Sequence, residues 1–143
     1  MKAEELYGTW RLVSNTREVL ATGETTYAFG KSPHGFIHYG RDGRMMVLVV
    51  GDKRPKPKDL AKVTDQERVE LFKTCLAYSG TYDYDGKTVT HHIDISWNET
   101  WTGTDGVREV KFEGNKLILT SRPAPDFIDG KVSRAVVTWE QVH

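Results

Sequence analysis

The sequence predicts an all-β fold, a closed antiparallel up-and-down β-barrel of about eight to ten strands with one short α-helix near residues 64–79. Three observations carry that prediction. Alternating runs rich in β-branched and aromatic residues recur along nearly the whole chain. Asp42-Gly43, Asp85-Gly86 and Gly114-Asn115 each have the composition of a two-residue hairpin loop. Consecutive hairpins of this number leave two exposed edges unless the sheet closes on itself.

The strand-like runs fall at roughly 8–15, 17–21, 24–29, 36–41, 44–50, 80–84, 87–96, 106–113, 116–122 and 131–142. One helix interrupts them. Thr64 is a suitable N-cap, Glu67 completes a capping box, and Val69, Phe72 and Leu76 follow at helical spacing. Leu71, Cys75 and Tyr78 lie beside them, and Gly80 is placed to end the helix. The basic, proline-containing stretch from Gly51 to Lys62 reads as a solvated connector. No repeat or linker divides the chain, so residues 1–143 read as one domain.

Composition excludes several functions. Lys plus Arg number 20, as do Asp plus Glu, and a net charge of zero gives no footprint for nucleic acid or an anionic membrane surface. The opening MKAEELYGTW has no apolar signal core and no apolar run reaches the length of a membrane span, so a cytoplasmic location is expected. The single cysteine, Cys75, has no internal disulfide partner, which agrees with a reducing compartment.

Alternation about the turns then assigns faces. The Asp85-Gly86 turn, read as a two-residue loop, sets Tyr84 opposite Lys87 and Tyr82 opposite Val89. Tyr82, Val89, His91, Ile93 and Ile95 share an apolar face, and Thr81, Asp83, Thr88, Thr90, His92 and Asp94 share a polar one. The Gly114-Asn115 turn pairs Phe112 with Leu117 and Val110 with Leu119, which carries Arg108 and Ser121 onto the same apolar face. An arginine there is either ion-paired, or snorkelling at the barrel rim, or free to bind a carboxylate, phenolate or carbonyl of a ligand.

The Asp42-Gly43 turn, read the same way, pairs Tyr39 with Met46 and His38 with Val47. Ile37, Tyr39, Met46, Leu48 and Val50 then share one face, and Phe36, His38, Met45, Val47 and Val49 share the other. Both are apolar. One lines the interior and the other is covered by the helix or by a second subunit. Trp10, Leu12 and Ser14 form one face of the first strand, and Ala135, Val137 and Trp139 one face of the last. Trp97 and Trp101 lie in a loop, where large aromatics are best placed over a barrel mouth.

Rival chemistries lack their patterns. His91 and His92 diverge by alternation and His34 and His38 span a loop and a strand, so no metal site is expected. No Gly-rich phosphate loop, nucleophile elbow or paired cysteine motif is present, and no cofactor is implied. General acid–base work by His38 or His91, assisted by Tyr82 and Arg108, is the one catalytic arrangement the pattern permits.

Gly8-Thr9-Trp10, the segments GFIHYGRDGRM, AYSGTYDYDGKTVTHHIDIS and VREVKFEGNKLILTS, and the Trp101-Thr102-Gly103 element occur in order along the chain. Together they resemble the small bacterial and fungal lipocalin-like domain family, a calycin-type barrel; the histidine-pair strand is the most specific part. The resemblance implies an internal cavity for a small apolar molecule. The resemblance extends to related small barrels of natural-product pathways that act as cyclases or isomerases, and so implies that activity as an alternative. One departure is Glu99, where relatives often carry proline before the mouth tryptophan.

The expectation is therefore a barrel binding a small hydrophobic or aromatic molecule with a polar handle, in an enclosed volume of about 300 Å³ or more. Trp10, Phe36, Tyr82, Val110, Phe112 and Trp139 supply its apolar wall, His38, His91 and Arg108 its polar contacts, and Trp101 its mouth. The alternatives are a cofactor-independent cyclase or isomerase using the same cavity, and a filled barrel acting as an oligomeric scaffold. A homodimer would form through the Ile37, Tyr39, Met46 and Leu48 face.

Overall fold

A computed structural model describes residues 2–143. The strands are β1 (Gly8–Val19), β2 (Thr25–Thr26), β3 (His34–Tyr39), β4 (Arg44–Val50), β5 (Cys75–Tyr84), β6 (Thr88–Ser96), β7 (Asp105–Glu113), β8 (Lys116–Ser121), β9 (Ala124–Pro125) and β10 (Val132–Gln141). All pairings are antiparallel, in the order β2-β1-β3-β4-β5-β6-β7-β8-β10-β9, and β1 pairs with β10 to close the barrel. Eight long strands form the wall; β2 and β9 are short additions to its rim.

The helix α1 (Asp65–Lys73) begins at the expected capping box, with Thr64 Oγ1 accepting from the Glu67 amide and Glu67 Oε1 from the Thr64 amide. It ends earlier than expected. Thr74 takes the C-cap, and Cys75, Leu76 and Tyr78 belong to β5, where pairing with Val50, Val49 and Val47 supplies a ladder of backbone hydrogen bonds. Helical spacing of three apolar residues loses to that sheet contact. The first two strand-like runs are one continuous strand, and the run at 24–29 is reduced to β2.

Two turns correct the expected registers. The Gly114-Asn115 hairpin pairs as expected, with Arg108 opposite Ser121. At Asp42-Gly43 the loop holds three residues rather than two: the Gly40 amide donates to the Arg44 carbonyl, and Gly43 takes a φ of +86° that a side-chain-bearing residue resists. Tyr39 therefore pairs with Met45, and the inward face is Ile37, Tyr39, Met45, Val47 and Val49. The slip of one residue exchanges the faces of β4 relative to β3. The Asp85-Gly86 loop is two residues longer in effect, pairing Tyr84 with Val89, and an even slip leaves the faces intact.

Bulges refine the rest. Val13 is an extra residue in β1 opposite β10, so the inward phase passes from Trp10 and Leu12 to Asn15, Arg17 and Val19, and Ser14 does not lie on it. A second bulge follows Ser79, and Ile95 is exposed rather than inward. The turns after β3, β5 and β7 share one end of the barrel with the start of β1. That end is plugged: Leu6 is fully buried, Trp10 Nε1 donates to its carbonyl at 3.0 Å, and Phe112 packs on Trp10. The other end carries α1 and the longer loops.

Candidate ligand-binding cavity

Beyond the plug the barrel is not filled. A cavity of about 190 Å³ lies between Ile37, Val47, Val49, Leu119 and Val137 on the apolar side and Tyr78, His91 and Arg108 on the polar side. It is smaller than the expected 300 Å³, below the range of drug-sized pockets. An engineered apolar cavity of about 150 Å³ holds benzene. The space therefore matches a single-ring molecule.

The polar side is organised by His91. Its Nε2 lies 2.6 Å from the Tyr39 hydroxyl and its Nδ1 2.7 Å from the Tyr78 hydroxyl, all three side chains being buried. Burial, then the nearby Arg108 charge, pushes the His91 imidazole down to about 3, so the ring is neutral. Burial also raises both tyrosines above the ordinary phenol range. A neutral imidazole donates from one nitrogen and accepts at the other, so one tyrosine gives its proton to the ring and the other receives one.

Arg108 is partly buried on β7, and no carboxylate of the described residues lies within ion-pair distance of it. Its Nη1 donates to the Val107 carbonyl at 3.1 Å, and its positive charge acts on the Tyr78 phenol across the cavity wall. Gly106 helps to place it: an added Cβ there would sit 3.3 Å from Nη1. Arg17 is the opposite case. Its guanidinium holds Asp129 at 3.1 and 2.6 Å and Asp126 at 3.3 Å, which draws the 121–131 segment onto the barrel. Those carboxylates hold Arg17 charged, and the arginine holds Asp129 down to about 2.

The mouth is aromatic. Trp101 contacts Tyr78, Trp97 and Phe127 with ring centroids 5.9, 5.0 and 5.9 Å apart, and Trp97 meets Phe127 at 5.2 Å. Trp97 Nε1 donates to the Phe72 carbonyl, tying α1 to this cap.

His91, Trp101, Arg108 and Trp139 thus reach the cavity together. Trp10, Val110 and Phe112 belong to the core at the plugged end. Tyr82 is buried, with its hydroxyl donating 2.7 Å to the Gly40 carbonyl and its ring against Tyr39. Phe36 and His38 stand outside, on an exposed groove with Met46, Leu48 and Ile95, because the three-residue turn turns Ile37 and Tyr39 inward instead. Reading the sequence missed Tyr39, Tyr78, Asn15, Arg17 and Phe127. The RDG turn, with glycine third, signalled Tyr39; the others depended on a bulge, a helix end or a loop path.

Comparison with family models agrees with this architecture. A family model described as a lipocalin-like domain matches residues 7–142. The chain belongs to that family. No curated protein sequence matches this lipocalin-like domain. Among solved structures, a mutant of the fluorescent protein UnaG aligns over 97% of both chains at 13% identity, with a TM-score of 0.40. The lipocalin-like domain contains no helix long and apolar enough to cross a membrane among its described residues.

Proposed function

We propose that this lipocalin-like domain binds a small aromatic or apolar molecule with a polar handle inside the barrel. The observation that carries the reading is the 190 Å³ cavity, apolar on most sides, with Arg108 at its wall and no carboxylate among the described residues to neutralise it. A filled scaffold would leave neither. Arg108 and Tyr78 supply the polar contacts, Trp101 and Trp139 the aromatic wall, and His91 fixes Tyr78 without hydrogen-bonding the ligand, since both its nitrogens are occupied.

Native mass spectrometry of freshly purified protein tests this, together with thermal shifts against single-ring compounds. A retained mass or a saturable stabilisation is expected. Protein that carries no mass and is stabilised by no ring compound rejects the reading.

A cyclase or isomerase in the same cavity would act by holding its substrate in a reactive shape, with Tyr78 and Arg108 as the polar groups at hand. Binding without turnover of any cognate substrate separates carrier from enzyme. Self-association, in turn, would use the outer face, where Phe36, Met46 and Leu48 are 51%, 63% and 53% exposed. Sedimentation of the wild type beside Leu48→Glu tests it, and a monomeric wild type removes it.

A further inference from the structure

The handle can be specified by counting the hydrogen-bonding capacity that the cavity wall leaves unused. Tyr39 is fully buried, and its hydroxyl has one hydrogen-bond partner, His91 Nε2. A buried O–H left without an acceptor costs more than an oxygen with a spare lone pair. Tyr39 therefore donates to Nε2, and the imidazole carries its proton on Nδ1 and donates to the Tyr78 oxygen. The Tyr78 hydrogen is left over, on a residue that lines the cavity.

The other unused groups have the same sign. Arg108 is a donor only. Ser121 Oγ, opposite Arg108 on β8, accepts from the Ala135 amide and keeps its hydrogen. Arg17 Nε and Trp139 Nε1, both in the wall, are buried donors without partners. Asn15 alone offers a free side-chain carbonyl as well as an amide. The one carboxylate of the wall, Asp126, is engaged by Arg17, Ser133 and the Ile128 amide.

Register places these donors in one band. Arg17 pairs with Ala135, Ala135 is joined to Ser121, and Ser121 pairs with Arg108. Three interstrand steps separate the two arginines, about 14 Å along the wall. Arg17 is matched by its two aspartates, so the unmatched positive charge of the wall lies at the Arg108 end, with the exposed Arg122 next to Ser121 at the same end.

Resting on the binding reading above, we propose that the ligand is a single-ring aromatic carboxylate, its oxygens on the Arg108 guanidinium and the Tyr78 O–H. A planar carboxylate accepts from both, and bears the charge that Arg108 lacks. A cation would meet the Arg108 charge there, and the one free side-chain carbonyl of the wall, that of Asn15, lies at the Arg17 end.

Isothermal titration with benzoate, benzamide, benzyl alcohol and benzylamine at neutral pH tests the assignment. Benzoate should bind at least about tenfold tighter than benzamide, and benzylamine should not bind, as expected where a charged hydrogen bond is gained or lost. Arg108→Gln should abolish the benzoate preference over benzamide; Tyr78→Phe should weaken benzoate less. If the neutral rings bind as well as benzoate, or if Arg108→Gln leaves the preference intact, the carboxylate assignment falls and the cavity reading stands. If no ring compound binds the wild type, both fall.

Discussion

His91 and His92 are adjacent on β6, and their imidazoles are held in opposite states. His91 is wedged between two tyrosines inside the barrel. His92 bridges Asp83 at 2.7 Å and Asp105 at 2.8 Å outside it, and these hydrogen bonds, Asp105 first, raise its affinity for a proton. Asp94, expected beside His92, is taken by Arg44 instead.

The two histidines should therefore act on stability with opposite sign. His91 ionises only near 3 when folded, but near 6.5 once released. The unfolded chain binds the extra proton, so the contribution of His91 is full above pH 6.5 and is lost as pH falls, by about 2 kcal/mol at pH 5. His92 stabilises below its unfolded value and loses that support as pH rises through its folded one. Urea titrations from pH 5 to 8 on the wild type, His91→Gln and His92→Gln resolve the two. An acid slope that survives His91→Gln unchanged contradicts the assignment.

Removing either tyrosine hydroxyl should be costly for the same reason. Tyr39→Phe leaves His91 Nε2 without its donor in a site closed to water. A loss of about 1–3 kcal/mol is expected in chemical denaturation. A change of a few tenths would mean that water reaches the ring.

Gly80 tests the bulge between β5 and β6, where Asp94 is the extra residue. A Cβ there would meet the His92 carbonyl oxygen at 1.9 Å, and that oxygen is backbone and cannot step aside. Gly80→Ala should cost more than about 3 kcal/mol or prevent folding, whereas Gly106→Ala, facing the flexible end of Arg108, should cost less than about 1 kcal/mol and act mainly on ligand affinity. Comparable destabilisation by the two would contradict the geometry.

The Arg17–Asp129 contact predicts a change in access. Asp129→Asn removes the stronger anchor of the 121–131 segment while Asp126 still reaches Arg17. Limited proteolysis within that segment should accelerate, and ligand dissociation should quicken with it. Unchanged cleavage would show that Phe127 and the aromatic cap hold the segment without the ion pair.

How much of this could be read from the chain depends on parity. Where a turn kept an even register, as at Asp85-Gly86, or the expected one, as at Gly114-Asn115, the inward residues were legible: His91 and Arg108 fell in place. An odd slip at Gly43 sent Phe36 and His38 outward and Tyr39 inward, on a hairpin whose two faces have similar hydrophobicity. Composition could not arbitrate there. Tyr78 was hidden by a different conflict, between local helical spacing and pairing with β4, which only the assembled sheet decides.

The extra residue at Val13 has a consequence for how such a barrel can change. It is the seam at which the inward row of β1 passes from Trp10 and Leu12, which plug one end, to Asn15 and Arg17, which furnish the chamber. Losing Val13 would join Leu12 directly to Ser14, residues that already stand opposite the consecutive Trp139 and Thr138, and plain alternation would then keep Asn15 and Arg17 facing the chamber. The seam is therefore slack in β1: a codon can be lost there while plug and chamber keep their lining residues, a change of length that a regular strand would pass on to every side chain beyond it.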